Sequence, residues 1–179
     1  MPMSFLPRRA CLALCAIALC GLAACATPVE APPPAPLTTS TPEQMVAAIR
    51  AAAGDGEGEL AVQPLRDPMV EDLREDAQRL EAQKDYAGAA EALDRAIAIV
   101  PDDPALLQER AEIALLDGEP AIAGALAERA HKLGAQVGPL CRRHWATLEQ
   151  VRLLARDADG AAAARTQVEA CTLTPPPRY

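Results

Sequence analysis

From residue 67 onward, apolar positions recur every three or four residues, the spacing of helices that bury one face. Prolines at 68, 104 and 139, spaced 36 and 35 residues apart, each open such a stretch. Asp67 and Asp103 precede the first two. A carboxylate there accepts from the free amides of the first turn, and proline gives up no hydrogen bond at the first helical position. Within each unit a short break precedes a second helix: "QKDYAG" at 83–88, "DGEPAI" at 117–122, "DADGAA" at 157–162. Two helices repeating at about 34 residues predict a solenoid of helical hairpins. Upstream, Thr41-Pro42-Glu43-Gln44 is a capping box, followed by the stripe Met45, Ile49 and Ala52 and a stop at Gly54. A helix over 42–53 follows, and the pattern leaves open whether it docks on the main domain or stays loose. Residues 54–66, "GDGEGELAVQPLR", break the periodicity.

The stretch "LREDAQRLEAQKDYAGAAEALDRAIAIVPDDP" resembles a tetratricopeptide repeat, with Leu73, Ala77, Leu80, Tyr86, Ala89, Leu93, Ala96 and Pro101 in its signature places. Leu107, Ala111, Ala114, Gly118, Ala123, Ala127 and Ala130 repeat the frame. A third unit at 138–171 is longer and carries Trp145 where a small residue is usual. The resemblance implies an all-α, short helical-hairpin solenoid over 67–173, with about two repeats and a divergent C-terminal hairpin.

The resemblance also implies a concave groove lined by the first helix of each hairpin. By alignment it presents Arg74, Gln78 and Glu81, then Gln108, Glu112 and Leu115, then Arg142 and Glu149. Repeats that clamp a terminal carboxylate keep Lys, Asn, Asn, Lys and Arg at places held here by Arg74, Gln78, Glu109, Pro139 and Arg143. Glu109 would repel a carboxylate, so that clamp is not expected. In the same frame Cys141 and Cys171 hold the paired places that Leu73 and Ala96 hold in the first repeat. Cys141, Trp145, Leu148 and Ala155 form one face of the hairpin, and Ala161, Ala164, Val168 and Cys171 the other. A disulfide is the expected state, two buried free thiols the alternative. A metal held with His144 is a third reading, but structural zinc takes four ligands and His131 lies in another repeat, so no metal is expected.

The N-terminus gives an address. Residues 1–24 combine Arg8 and Arg9 with an apolar run too short for a comfortable membrane span, the shape of a removable secretory signal. Leu22-Ala23-Ala24-Cys25 resembles the bacterial lipobox, which implies that Cys25 is diacylated and becomes the new N-terminus. Ordinary cleavage after Ala24, with Cys25 incidental, is the plainer alternative. Ala26 stands where Asp would favour inner-membrane retention, so the resemblance favours the outer membrane facing the periplasm. Residues 25–41 form a proline-rich tether, about 50 Å long if fully extended at about 3.1 Å per residue, 42–66 a short helix and linker, and 174–179 a tail.

Charge and composition then exclude whole classes. The formal charge is −8, and losing Arg8 and Arg9 makes the mature chain more acidic still. Such a chain is not built for nucleic acid or anionic lipid head groups. The membrane link is the lipid on Cys25. Serine occurs only at Ser4 and Ser40, and asparagine and a glycine-rich phosphate loop are absent from the sequence. No enzymatic chemistry and no cofactor is expected. The expected role is an adaptor for another envelope protein; related architectures serve cell-wall enzymes, outer-membrane protein assembly and secretin assembly. The rival is a self-associating structural lipoprotein, a possible homodimer through a face near Val70, Leu73 and Leu80.

Overall fold

A computed structural model of the chain describes residues 35–54 and 67–172. The expected signal, Cys25, the tether up to residue 34, the linker 55–66 and the tail 174–179 lie outside the described residues. Within them the regular structure is helical: α1 Pro42–Ala52, α2 Pro68–Ala82, α3 Tyr86–Ile99, α4 Pro104–Leu116, α5 Pro120–Leu133, α6 Pro139–Leu154 and α7 Ala158–Ala170. All seven belong to one unit, Pro36–Tyr179.

The helix starts follow from local chemistry. Thr41 Oγ1 accepts from Gln44 N at 3.3 Å while Thr41 N donates to Gln44 Oε1 at 2.9 Å, completing the capping box. Asp67 accepts from Met69 N, and Asp103 from Ala105 N and Leu106 N. The hairpins α2–α3, α4–α5 and α6–α7 turn through the same device. In each, the residue before the second helix's N-cap is left-handed: Lys84 (φ 61°), Gly118 (φ 79°) and Arg156 (φ 64°). Only glycine takes that conformation without a Cβ penalty of about 1–2 kcal/mol. At the other two turns the next residue compensates, because Asp85 and Asp157 accept from Gly88 N and Gly160 N.

Hairpins stack through α3 on α4 and α5 on α6. The main core joins Val70, Leu73 and Ala77 of α2 to Ala89, Leu93 and Ala96 of α3 and Leu106, Ile113 and Ala114 of α4. Small residues let helices cross closely: a Cβ at Gly124 of α5 would stand 3.2 Å from Val151 Cγ1 of α6. Ala111, Ala127, Leu148 and Ala164 form a second, smaller cluster with Trp145 packed against it. Of the faces expected for the last hairpin, Cys141, Leu148, Ala161, Ala164 and Cys171 are buried, while Ala155 lies exposed just after α6.

Helix α1 does dock, and its place was not legible in its own pattern. It lies against α4 and α6, in the concave groove rather than on the outer face of α2. Leu37 N donates to Leu153 O near its start, and Arg142 Nε donates to Ala52 O at its end, so α1 runs antiparallel to α6. Met45, Val46 and Ile49 are buried beneath it. The face near Val70 and Leu73 is not open either: these residues are 1% and 5% exposed, packed against α3, and Leu80 is half-buried.

At the open end of the last hairpin, Cys141 in the first turn of α6 meets Cys171 just after α7. Their sulfur atoms are 2.01 Å apart and their Cα atoms 5.8 Å apart, across a sequence separation of 30. Gly138 N donates to Cys171 O at 2.7 Å beside them. With the two sulfurs bonded, the closed loop removes chain entropy from the unfolded state equivalent to about 3–4 kcal/mol. Replacing Cys141 by Ala is expected to lower the thermal midpoint by at least about 10 °C, read by circular dichroism. Added reductant should reproduce the drop in wild type, and thiol mass-tagging of the unfolded chain should find neither cysteine free before reduction.

Candidate functional site

α4 sits at the centre of the stack. Every residue from Leu106 to Leu116 except Glu109 is buried, including Gln108 and Glu112, which are fully so. Buried polar groups need partners, and a buried carboxylate most of all. Glu112 Oε1 accepts from Gln108 Nε2 (2.9 Å) and from Arg143 Nε (2.9 Å) and Nη2 (2.5 Å) of α6. Glu112 Oε2 accepts from Arg50 Nε of α1 at 2.8 Å. The Arg50 guanidinium continues to Glu81 of α2, at 2.8 and 2.9 Å. Hydrogen bonding to Glu81 is the main reason the Arg50 pKa is raised. One network therefore ties α1, α2, α4 and α6.

Of the eight residues expected to line an open groove, only three do so. Arg74, Gln78 and Glu81 border a cavity of about 320 Å³ together with Glu109, Arg50 and Arg143, above buried Ala77, Leu93 and Ile113. Gln108, Glu112 and Leu115 are covered, because α1 fills their stretch of the groove. Arg142 is nearly buried and donates to the carbonyls of Ala52 and Ala53, where a cation complements the negative end of a helix. Glu149 turns away to α7, accepting from Arg165 Nε at 2.9 Å. Four of the five clamp positions share the cavity, but Pro139 is not among its lining residues. Arg74 is engaged by Glu109, at 2.9 Å from Nε and by a second short contact, and by Glu71 at 2.6 Å. Its charge is thus matched internally, and the Glu109 hydrogen bond raises its pKa.

A second polar cluster extends the network into the third hairpin. Gln108 Nε2 donates to Thr147 Oγ1 at 2.9 Å, and Gln108 Oε1 meets His144 Nδ1 at 2.7 Å, so that nitrogen carries the proton. His144 is fully buried. His131 of α5 lies near it, with ring centroids 6.4 Å apart, and also packs on Trp145 at 4.8 Å. Burial, with lesser repulsion from His131 and Arg143, pushes the His144 pKa down to about 3. Among the described residues, no group of three or more His, Cys, Asp or Glu side chains converges as metal ligands. No helix among them is long and apolar enough to cross a membrane.

Comparison with known proteins adds to this geometry. A tetratricopeptide-repeat profile matches residues 77–113, from the middle of α2 into α4. The globular C-terminal domain of P. aeruginosa LpoP is similar to this chain at 30% identity and a TM-score of 0.56, over 59% of this chain and 99% of that one. The chain belongs to the tetratricopeptide-repeat family. No protein of curated function matches it. Repeats of this family are protein-interaction hairpins, and this repeat domain has a protein-binding role. The profile stops before the third hairpin, where the extra length, the cysteines and His144 depart from the repeat pattern.

Two outcomes follow for this repeat protein. Glu112→Ala removes one side of a buried charge network, a change that costs about 3–5 kcal/mol when both partners are buried. Arg50 and Arg143 can still reach water, which reduces this to about 2–3 kcal/mol. Urea unfolding should show a lower midpoint at unchanged slope. For His144 the folded pKa lies below the unfolded value of about 6.5, so the unfolded state binds the extra proton. Stability is therefore intact above about pH 6.5 and is lost as pH falls toward 3. Between pH 6.5 and 5.5, wild type should lose about 1 kcal/mol that His144→Gln does not lose.

Proposed function

We propose that this protein is a lipid-anchored adaptor of a Gram-negative cell envelope, which holds another envelope protein through its repeat domain. The observation that carries the reading is a tetratricopeptide-repeat domain whose groove keeps an open, charge-lined cavity around Arg74, Gln78 and Glu109. Support for the address comes from Leu22-Ala23-Ala24-Cys25 at the end of a signal-like stretch and from Ala26 after it. On this reading Cys25 carries the lipid, the outer membrane is the anchor and the repeats face the periplasm. The proline-rich tether raises the domain's local concentration around its anchor. No catalytic step belongs to this role. The self-association reading rested on an exposed face near Val70, Leu73 and Leu80, of which Val70 and Leu73 are buried and Leu80 is half-buried.

In-cell crosslinking followed by pull-down from envelopes tests the adaptor. A discrete client is expected with wild type, strongly reduced in Cys25→Ser, which loses the anchor, and in Gln78→Arg, which places a bulky cation on the exposed lip of the cavity. Metabolic labelling with a fatty acid should mark wild type and not Cys25→Ser. Recovery of nothing but its own copies would replace the adaptor by the structural reading.

A further inference from the structure

We propose that the groove between α4 and α6 is a docking site for a short basic helix of another protein, and that α1 is the intrachain occupant which this partner displaces. The proposal rests on the adaptor reading and names the chemistry of its partner: two adjacent aliphatic residues, a third aliphatic residue three positions on, and an arginine directly after it.

That pattern is read from what the groove already holds. Met45, Val46 and Ile49 are the buried residues of α1, and Val46 and Ile49 share a core with Leu115 and Leu116 of α4 and Ala146 of α6. Arg50 follows Ile49. The groove meets its guanidinium with an acceptor that its own residues leave free. Glu112 Oε1 is taken by Gln108 and Arg143, both of the repeats, whereas among the described residues Glu112 Oε2 accepts from Arg50 alone. Losing the occupant would leave the carboxylate still paired with Arg143, so the groove can be vacated without stranding a buried charge. At the far end, Arg142 binds the carbonyls of Ala52 and Ala53, main-chain groups that any helix C-terminus supplies.

The fit of α1 is partial. It is 11 residues long, a length at which an isolated helix is marginal in water. Its outer face, including Glu43, Gln44, Ala47, Ala48 and Ala51, is exposed. On the side toward the first hairpin it leaves two cavities, of about 320 and 340 Å³, divided by the Arg50–Glu81 pair. A longer helix with larger side chains fills that space, and alanines cannot. Charge points to a foreign, basic partner over a second copy: the chain carries −8, so two copies repel while an arginine-bearing helix is attracted.

The probe is a fluorescein-labelled peptide of residues 40–54, added to the mature chain made with Cys25→Ser and read by anisotropy. Adding Ile49→Glu to that chain dislodges its own α1. The peptide should then bind about ten-fold tighter or better than to the chain with Ile49 intact, because the closed fraction no longer taxes the affinity. A further Glu112→Gln, or Arg50→Gln in the peptide, should weaken binding about ten-fold. If the Ile49→Glu chain keeps its helicity and binds no better than its parent, the proposal fails. If that variant does not fold, hydrogen exchange of the parent chain decides. Amides of 46–53 exchanging at least about ten-fold faster than those of 107–116 uphold a displaceable α1, and equal protection overturns it. A dimer in sedimentation that the peptide dissolves would make the occupant a second copy and also overturn it. The two readings fail separately. A client captured by the Ile49→Glu chain after the peptide test fails keeps the adaptor, and peptide binding with no client in cells fails the adaptor alone.

Discussion

The rest of the structure depends on a carboxylate that has no access to water. Glu112 sits in the middle of α4, against which α1, α3, α5 and α6 pack, and an ion buried there is tolerated only if it keeps a paired cation. Its two oxygens divide the work: one joins α4 to α6 through Arg143, and the other joins α4 to α1 through Arg50. Gln108, one turn earlier, extends the same logic to Thr147 and His144. Apolar contact between the second and third hairpins is divided between the main core, which Ala146, Val151 and Leu154 of α6 join, and the small cluster of Ala111, Ala127, Leu148 and Ala164. Directional polar contacts add geometric specificity to that packing, since each bond admits one alignment of the third hairpin on the second.

The same network changes what the concave face of this solenoid is. In a bare stack of hairpins the first helices would present a continuous groove. Here α1 runs along α4 and α6, so the groove is divided into a filled stretch and an open cavity beside α2. The filled stretch is acidic beneath and capped by a guanidinium at one end; the open one is bordered by three arginines and two glutamates that largely neutralise one another. A partner therefore meets a surface whose charges are already committed. It gains from displacing or extending those pairs more than from adding new ones.

Much of the architecture was legible along the chain. The three hairpins, their proline starts, the aspartate caps and the first two breaks appear where the periodicity placed them, the third break falls at 155–157 rather than 157–162, and Cys141 and Cys171 come together at the open end of the last hairpin. The groove was read less well. Gln108, Glu112 and Leu115 lie on the concave side as the repeat frame implied, but under α1 rather than open to a partner. One signal did mark them. In "PALLQERAEIALL" apolar residues stand on every side of the helix, so a glutamine and a glutamate one turn apart must be buried among them. Arg142 was expected to line the groove, and it instead caps the C-terminal end of α1.

What the sequence determined by itself are the features decided between near neighbours: where helices begin, where the hairpins break, and the period that stacks one hairpin on the next. Their causes lie within about one helical turn, in caps, breaks and spacing. Only the tertiary structure decided where α1 goes and what becomes of Glu112. Those outcomes rest on contacts between Arg50 and Glu112, 62 residues apart, and between Arg143 and Glu112, 31 apart. No local pattern carries that information, because an exposed arginine and one aimed at a buried carboxylate have the same neighbours in sequence.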